Sequence, residues 1–303
     1  MGDMLKGRVA VITGSGNGLG RAHAIGMAAQ GARVVVNDIG TSFDGKGTSR
    51  DPADQVVKTI KQAGGTAVAS YDSVAAEEGA KRIIQTAMDS FGRLDILVNN
   101  AGIIRHHMVY EIPTEEWEAV VKTHLFGTFY CTRSATTIMK EQGYGRIINT
   151  SSHIGFGYEG QSTYSTVKEA IVGFSRTVAR DMAKYGTTCN VIRPIAAWRG
   201  IRQKIEQVEV NQPEDIAALV VYLASESADH INGCIFEVFR GHVGIFAEPP
   251  PLEQVLWKNG QWTPEELREV MPVTLTRGRQ RDKFPDTLPF MFKRPDGSSR
   301  FER

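Results

Sequence analysis

The feature that most constrains this chain is a regular alternation of two patterns. Short runs rich in β-branched residues fall at 8–13, 33–37, 66–71, 94–99, 145–150, 188–192 and 235–239. Helical patterns separate them, notably over 53–63, 75–91, 114–141, 162–185 and 213–225. Strand–helix alternation of this kind argues for an α/β protein with a parallel sheet and helices on both faces. Each strand-to-strand connection is then expected to be a right-handed crossover. Two segments break the rhythm. Residues 40–52 form a polar, glycine-rich loop after the second strand. Residues 248–303 hold eight of the 12 prolines, beginning with Pro249-Pro250-Pro251. One short helix is expected there, with Thr263 as its cap, Pro264 at its first position and Glu265 and Glu266 in its first turn. The rest reads as an extended tail draped on this subunit or on a neighbour.

Composition excludes several classes of function. The 303 residues suit one large α/β domain. Lys and Arg number 35 against 34 Asp and Glu, a net charge of +1, so nothing favours a nucleic-acid or anionic-membrane partner. From Thr276 onward there are eight Lys/Arg against four Asp/Glu, but proline and acids dilute them. No apolar stretch approaches the ~18 residues of a membrane span. Met1–Gly7 has no apolar signal core, and Phe301-Glu302-Arg303 is not a peroxisomal Ser-Lys-Leu address. Cys131, Cys189 and Cys234 are odd in number and far apart, which suggests neither a disulfide framework nor a zinc site. A cytoplasmic location is the expectation. His106 and His107 have no third ligand at sensible spacing, so no metal site is expected.

Thr13-Gly14-Ser15-Gly16-Asn17-Gly18-Leu19-Gly20 sits where the first strand hands over to the first helix. Glycines permit a tight turn and let backbone N–H groups approach a pyrophosphate at the helix N-terminus. Asp38 ends the second strand. A carboxylate there accepts both hydroxyls of an adenosine ribose and repels a 2′-phosphate, which favours NAD over NADP. Asn17 stands where a basic residue would pair with that phosphate. Asp72-Ser73-Val74 and Asn99-Asn100-Ala101-Gly102 fall at later strand ends, on the edge where such sheets bind ligands. Asp72 is a candidate acceptor for the adenine amino group, and Asn100 and Gly102 are candidates to line the adenosine side.

The fifth strand runs into Thr150-Ser151-Ser152-His153-Ile154-Gly155, and Tyr164 and Lys168 follow four residues apart. On a helix, i and i+4 share a face, so both side chains point back toward that strand end. An ammonium near a phenol is expected to favour the phenolate and lower its pKa. Such a tyrosine exchanges a proton with a secondary alcohol, while a serine hydroxyl holds the substrate oxygen.

With these residues together, the chain resembles the short-chain dehydrogenase/reductase family. The matching elements are Thr13-Gly-x-x-x-Gly-x-Gly20, Asp72, Asn99-Asn-Ala-Gly102, Ser152, Tyr164-x-x-x-Lys168 and Pro194, in family order over about residues 5–245. Within the family the chain looks most like the (3R)-hydroxyacyl-CoA dehydrogenase branch of peroxisomal β-oxidation. That likeness rests on Val35-Val-Asn-Asp38-Ile-Gly40 and the loop after it, on Tyr71-Asp-Ser-Val74 and on Phe236-Glu-Val238. The resemblance implies a Rossmann-type doubly wound, seven-stranded parallel sheet as a single domain over 1–247, with 248–303 as an extension. It implies NAD held by Gly14, Ser15, Gly16, Asn17, Gly18, Leu19, Gly20, Asp38, Asp72, Ser73, Val74, Asn100, Ala101 and Gly102, with nicotinamide over Tyr164 and Lys168. It implies direct hydride transfer to or from a small-molecule alcohol or ketone, with Ser152, Tyr164 and Lys168 as catalytic residues. Homodimers or homotetramers packed through the helices at 114–141 and 162–185 are also implied.

Four features depart from the family pattern. The serine-to-tyrosine gap leaves Ser151 and Ser152 as alternatives, and the strand register favours Ser152. His124 stands where a relay asparagine is usual and reads as a satisfied core histidine. Ile195-Ala-Ala-Trp-Arg199 follows Pro194 without the usual Ser or Thr, and Arg193 before that proline is unusual. Only about fifteen residues separate Ala197 from the next helix, which suggests an open cleft for a bulky substrate. His153, Tyr158 and Trp198 are candidates to line it, with His106 and His107 nearby. Residues of the tail (Trp257, Trp262, Arg277, Arg279) are further candidates to touch substrate. An acyl-CoA thioester fits such a cleft, as does a ring or steroid alcohol. The non-enzymatic alternative is a dinucleotide-sensing protein, which would have no need of Ser152, Tyr164 and Lys168 together.

Overall fold

The computed structural model describes residues 2–42, 45–195, 212–247 and 250–281. The expected strands are all present as β1 (Val9–Thr13), β2 (Arg33–Asn37), β3 (Thr66–Ser70), β4 (Ile96–Asn99), β5 (Gly145–Thr150), β6 (Thr187–Pro194) and β7 (Ile235–Phe239). They pair in parallel in the order β3-β2-β1-β4-β5-β6-β7. Helices cover both faces, so residues on either side of the central strands are buried and those strands read as nearly unbroken apolar runs. In β1 all five residues, Val-Ala-Val-Ile-Thr, are buried. An eighth strand, β8 (His242–Ile245), returns antiparallel against β7 after a turn in which Gly241 has φ +66°. Its outward residues Val243 and Ile245 are apolar and exposed, while inward His242 and Gly244 are not apolar. That inversion hides it from a search for alternating hydrophobicity.

The helices are α1 (Gly18–Ala29), α2 (Asp51–Gln62), α3 (Glu77–Phe91), α4 (Thr114–Val121), α5 (Gly127–Gln142), α6 (Ser162–Met182) and α7 (Pro213–Leu223). Met27, Val56, Ile60, Ile216 and Val220 from α1, α2 and α7 pack on one face of the sheet. Ile83, Ile84, Met139 and Val178 from α3, α5 and α6 pack on the other. Each such side chain contributes about 1.5–3 kcal/mol on leaving water. The expected continuous helix over 114–141 is interrupted. Residues Lys122–Phe126 form one π-helical turn between α4 and α5, and His124 lies on it. Such turns mark functional positions in many helices.

The chain divides into two compact units, 1–246 and 247–303. The second contains the expected helix, α8 (Pro264–Val270). The Thr263 hydroxyl accepts from the Glu266 N–H, and the Glu266 carboxylate accepts from the Thr263 N–H. Lys258 pairs with Glu266 and lies 4.9 Å from the Trp262 ring. Trp198, the stretch beyond Ile195 and the end of the tail lie outside the described residues. None of the described helices is long and apolar enough to cross a membrane.

Candidate active site

Parallel register brings the strand ends Thr13, Asn37, Ser70 and Asn99 to one edge of the sheet. The strand order reverses between β1 and β4, and α/β sheets open a crevice at that switch point. A cavity of about 650 Å³ lies there. Gly14, Asn17, Gly18, Leu19, Asp38, Asp72, Ser73, Val74, Asn100, Ala101 and Gly102 line it.

Ser15, Gly16 and Gly20 do not line this cavity; they shape the loop that does. Ser15 is fully buried and its hydroxyl donates to the Ile12 carbonyl at 2.8 Å. Its side chain is therefore spent on the turn. A Cβ on Gly14 would stand 2.7 Å from the Ala101 Cα, and one on Gly20 would stand 2.2 Å from the Gly14 carbonyl. The loop closes so tightly on β4 that only glycine fits. The Asn100 amide donates to the Thr13 and Gly14 carbonyls at 3.1 and 3.0 Å, which pins the loop to β4. One Asp38 carboxylate oxygen accepts from the Gly16 N–H at 2.8 Å and the other from the Gly40 N–H at 2.7 Å. Each keeps a lone pair for a further donor. The Arg82 Nε donates to the Asp72 carboxylate at 2.6 Å, so Asp72 is partly engaged already.

A second cluster forms where β5 meets α6. The Lys168 Nζ donates to the Thr150 carbonyl at 2.7 Å, and the Ser151 hydroxyl donates to the Lys168 carbonyl at the same distance. Ser151 is thus buried behind the site, while Ser152 faces the Tyr164 phenol, near enough for its hydroxyl to pull the phenol's pKa down. The Ile154 N–H donates to the Ser152 Oγ at 3.2 Å, so the serine proton points elsewhere. The Lys168 Nζ stands 5.3 Å from the centroid of the Tyr164 ring.

Electrostatics depart from the sequence expectation. Burial pushes the Tyr164 phenol up to about 12, although the Ser152 hydrogen bond pulls the other way. Burial likewise brings Lys168 down to about 7. The expected lowering of the tyrosine by the lysine is overturned, because desolvation opposes charge on both partners at once.

The two clusters meet at His124. Thr123 lines the cavity, and the His124 ring stands edge-on to Tyr164 with centroids 5.3 Å apart. The His124 Nε2 lies 2.8 Å from the Ile103 carbonyl oxygen, and a Cβ on Gly102 would come within 2.3 Å of the ring. Burial holds its pKa at about 3. It is a core histidine, as the sequence suggests, but only its Nε2 is engaged: the Nδ1 is buried without a hydrogen-bond partner.

The expected substrate-facing histidines are engaged elsewhere. His153 is buried, with its Nε2 2.8 Å from a Glu237 carboxylate oxygen, and so does not line a cleft. His107 pairs with Glu116 and His106 with Gln161, while Tyr158 is half exposed. No group of acids, histidines and cysteines suited to a metal occurs among the described residues. The sequence does not show the ion pair of Arg193 with Glu169, at 2.6 Å; the unusual arginine before Pro194 was its only local signal.

The sequence profile of the short chain dehydrogenase family matches residues 8–209. The chain belongs to that family. Its residues fit the nicotinamide dinucleotide that the family uses: a glycine cradle in which a Cβ on Gly14, Gly16 or Gly20 would clash, and a carboxylate at the end of β2. Over 267 residues it is 43% identical to peroxisomal multifunctional enzyme type 2 of Mus musculus, a match over 87% of this chain and 36% of that protein. The chain thus spans about a third of that relative's length. It is 36% identical over 285 residues to the hydroxyacyl-CoA dehydrogenase ChsB1 of Mycobacterium tuberculosis, a match over 88% of each chain. The crystal structure of a short chain dehydrogenase from Mycobacterium avium superposes with a TM-score of 0.80 at 41% identity, over 91% of this chain and 97% of that one.

Proposed function

We propose that this chain is an NAD-dependent dehydrogenase that interconverts a bulky secondary alcohol and its ketone, with a 3-hydroxyacyl-CoA as substrate. The observation that carries the chemistry is the Ser152 hydroxyl against Tyr164, with Lys168 behind them on the same helix face. Asp38 supports NAD, since a carboxylate at the end of β2 accepts ribose hydroxyls and repels a 2′-phosphate. The likeness to the mycobacterial hydroxyacyl-CoA dehydrogenase over 88% of both chains supports the thioester.

The glycine loop, Asp38, Ser73, Val74 and Asn100–Gly102 would hold the dinucleotide, and Tyr164 and Lys168 would lie toward its nicotinamide end. When bound, the dinucleotide supplies or accepts the hydride. Ser152 holds the substrate oxygen. Tyr164, protonated at neutral pH, gives its proton to that oxygen as a ketone is reduced and takes one back in the reverse direction. Lys168, brought down to about 7 by burial, is partly protonated at neutral pH, and its protonated form favours the phenolate that results. The chain works as a homodimer or homotetramer on this reading, in a cytoplasmic setting.

The test is NADH oxidation with acetoacetyl-CoA, longer 3-oxoacyl-CoAs, ring ketones and oxosteroids, each repeated with NADPH. Turnover of thioesters with NADH supports the reading. Turnover of ring ketones alone moves the substrate to that class. NADH binding without turnover of any ketone leaves a dinucleotide-binding protein.

A further inference from the structure

The chemistry above leaves one buried cation at the site unused. Arg193, at the end of β6, is only 3% exposed. Its Nη1 donates to the Ser152 carbonyl at 2.8 Å. Its Nη2 pairs with a Glu169 carboxylate oxygen at 2.6 Å, and Glu169 follows Lys168 on α6. The guanidinium lies 4.1 Å from the centroid of the Phe156 ring and 5.4 Å from that of Phe246. One side chain therefore spans from the main chain of Ser152 to the helix that carries Tyr164 and Lys168.

Neighbouring groups leave this link little freedom. A Cβ on Gly155 would stand 2.4 Å from a Glu169 carboxylate oxygen and 3.0 Å from the Arg193 Nη1, so the pair fills the space that glycine vacates. The Ser165 hydroxyl donates to the Ile154 carbonyl at 2.7 Å, a second tie between the same turn and α6. On the sheet side, Glu237 reaches His153 at 2.8 Å and His242 at 2.7 Å. A buried guanidinium is costly to desolvate unless its partners are well placed. Planar donors in a fixed fork hold two acceptors at a set separation, which a lysine does not do.

We propose that Arg193, together with Glu169, is a positioning residue that sets the Ser152 hydroxyl against Tyr164. It does so through the Ser152 carbonyl and without touching substrate. The inference rests on the dehydrogenase reading. A misplacement of about 1 Å costs on the order of a hundredfold in rate, so a link of this kind is read in kcat.

The test uses the full chain with NADH and acetoacetyl-CoA, and the variants Arg193→Met, Arg193→Lys, Glu169→Ala and Arg193→Met/Glu169→Ala. Glu169 is 44% exposed, so solvent reaches the guanidinium when the carboxylate is removed, and a thermal melt of each variant separates lost rate from lost fold. The expected result is a fall in kcat of about ten- to a hundredfold with KM for NADH unchanged. The primary deuterium isotope effect from NADH deuterated at C4 rises, because hydride transfer itself has slowed. Arg193→Lys recovers part of the rate, and the double variant loses no more than the worse single one. Unchanged kcat in Glu169→Ala overturns the proposal and leaves the dehydrogenase reading standing. So does a loss that tracks folded protein with an unaltered isotope effect. A wild-type chain that reduces nothing on the ketone panel overturns both.

Discussion

The Ser151 hydroxyl donates to the main-chain carbonyl of Lys168 at 2.7 Å, and the Lys168 ammonium returns to the carbonyl of Thr150. The two bonds lock the end of β5 onto α6 and turn Ser151 away from Tyr164. Its neighbour Ser152 is left facing the phenol. Ser152→Ala is therefore expected to lower kcat by about 10²–10³-fold, the range for loss of one preorganised donor. Ser151→Ala keeps the chemistry and loses about 1 kcal/mol of stability. Steady-state kinetics and thermal melts on the two variants separate these outcomes. Equal kinetic losses would refute the assignment. Tyr164→Phe abolishes turnover while NADH binding, read by fluorescence, persists.

The pH dependence follows from the phenol. With its pKa pushed up to about 12, Tyr164 is protonated at neutral pH, the form needed to reduce a ketone. Oxidation of an alcohol needs the phenolate, which becomes more abundant as pH rises. The kcat/KM for alcohol oxidation is expected to climb from pH 7 to 10, while that for ketone reduction does not climb. These profiles report the free enzyme. An oxidation profile that falls over that range would exclude Tyr164 as the base.

His23 gives the fold an acid weakness. It is fully buried in α1, and burial lowers its pKa from 6.5 to about 3. Below pH 6.5 the unfolded chain takes up a proton that the folded chain refuses until pH nears 3. Stability is therefore whole above pH 6.5 and drops by about 1.4 kcal/mol per pH unit below it. His23→Leu is expected to recover about 2 kcal/mol at pH 5, seen as a smaller fall in Tm between pH 7 and 5. His124 shares the same lowering, so part of the acid sensitivity remains. An identical fall in both proteins would show that His23 is protonated in the fold.

Asp38 serves both the loop and the choice of cofactor. Its two oxygens accept from the Gly16 and Gly40 amides at 2.8 and 2.7 Å. Asp38→Ala is expected to erode the preference for NADH over NADPH and to cost about 1.5–3 kcal/mol, the range for hydrogen bonds to a charged group. The KM ratio of the two cofactors and a denaturant titration measure the two effects. An unchanged ratio with lowered stability would confine Asp38 to holding the loop.

Much of this was legible in the residues. The β-branched runs predict β1 to β7 because parallel strands are buried on both faces and need apolar side chains throughout. The capping box of Thr263 and Glu266 predicts α8 because its hydrogen bonds are local. The same reasoning misses β8, whose apolar residues face outward, and the π-helical turn at His124, which tertiary packing imposes within a helical pattern. It places His153 on a cleft, whereas Glu237, distant in sequence, draws that ring inward.

By itself, the sequence determined the strand order along the chain, the glycine loop, the carboxylate at the end of β2 and the Tyr164–Lys168 pair. Each is encoded by local periodicity or short spacing. Tertiary structure decided which serine faces the phenol, where Arg193 and Glu169 meet, and that Tyr164 is raised in pKa. Those depend on burial and on contacts between segments far apart in the chain, whose combined desolvation and packing no local pattern records.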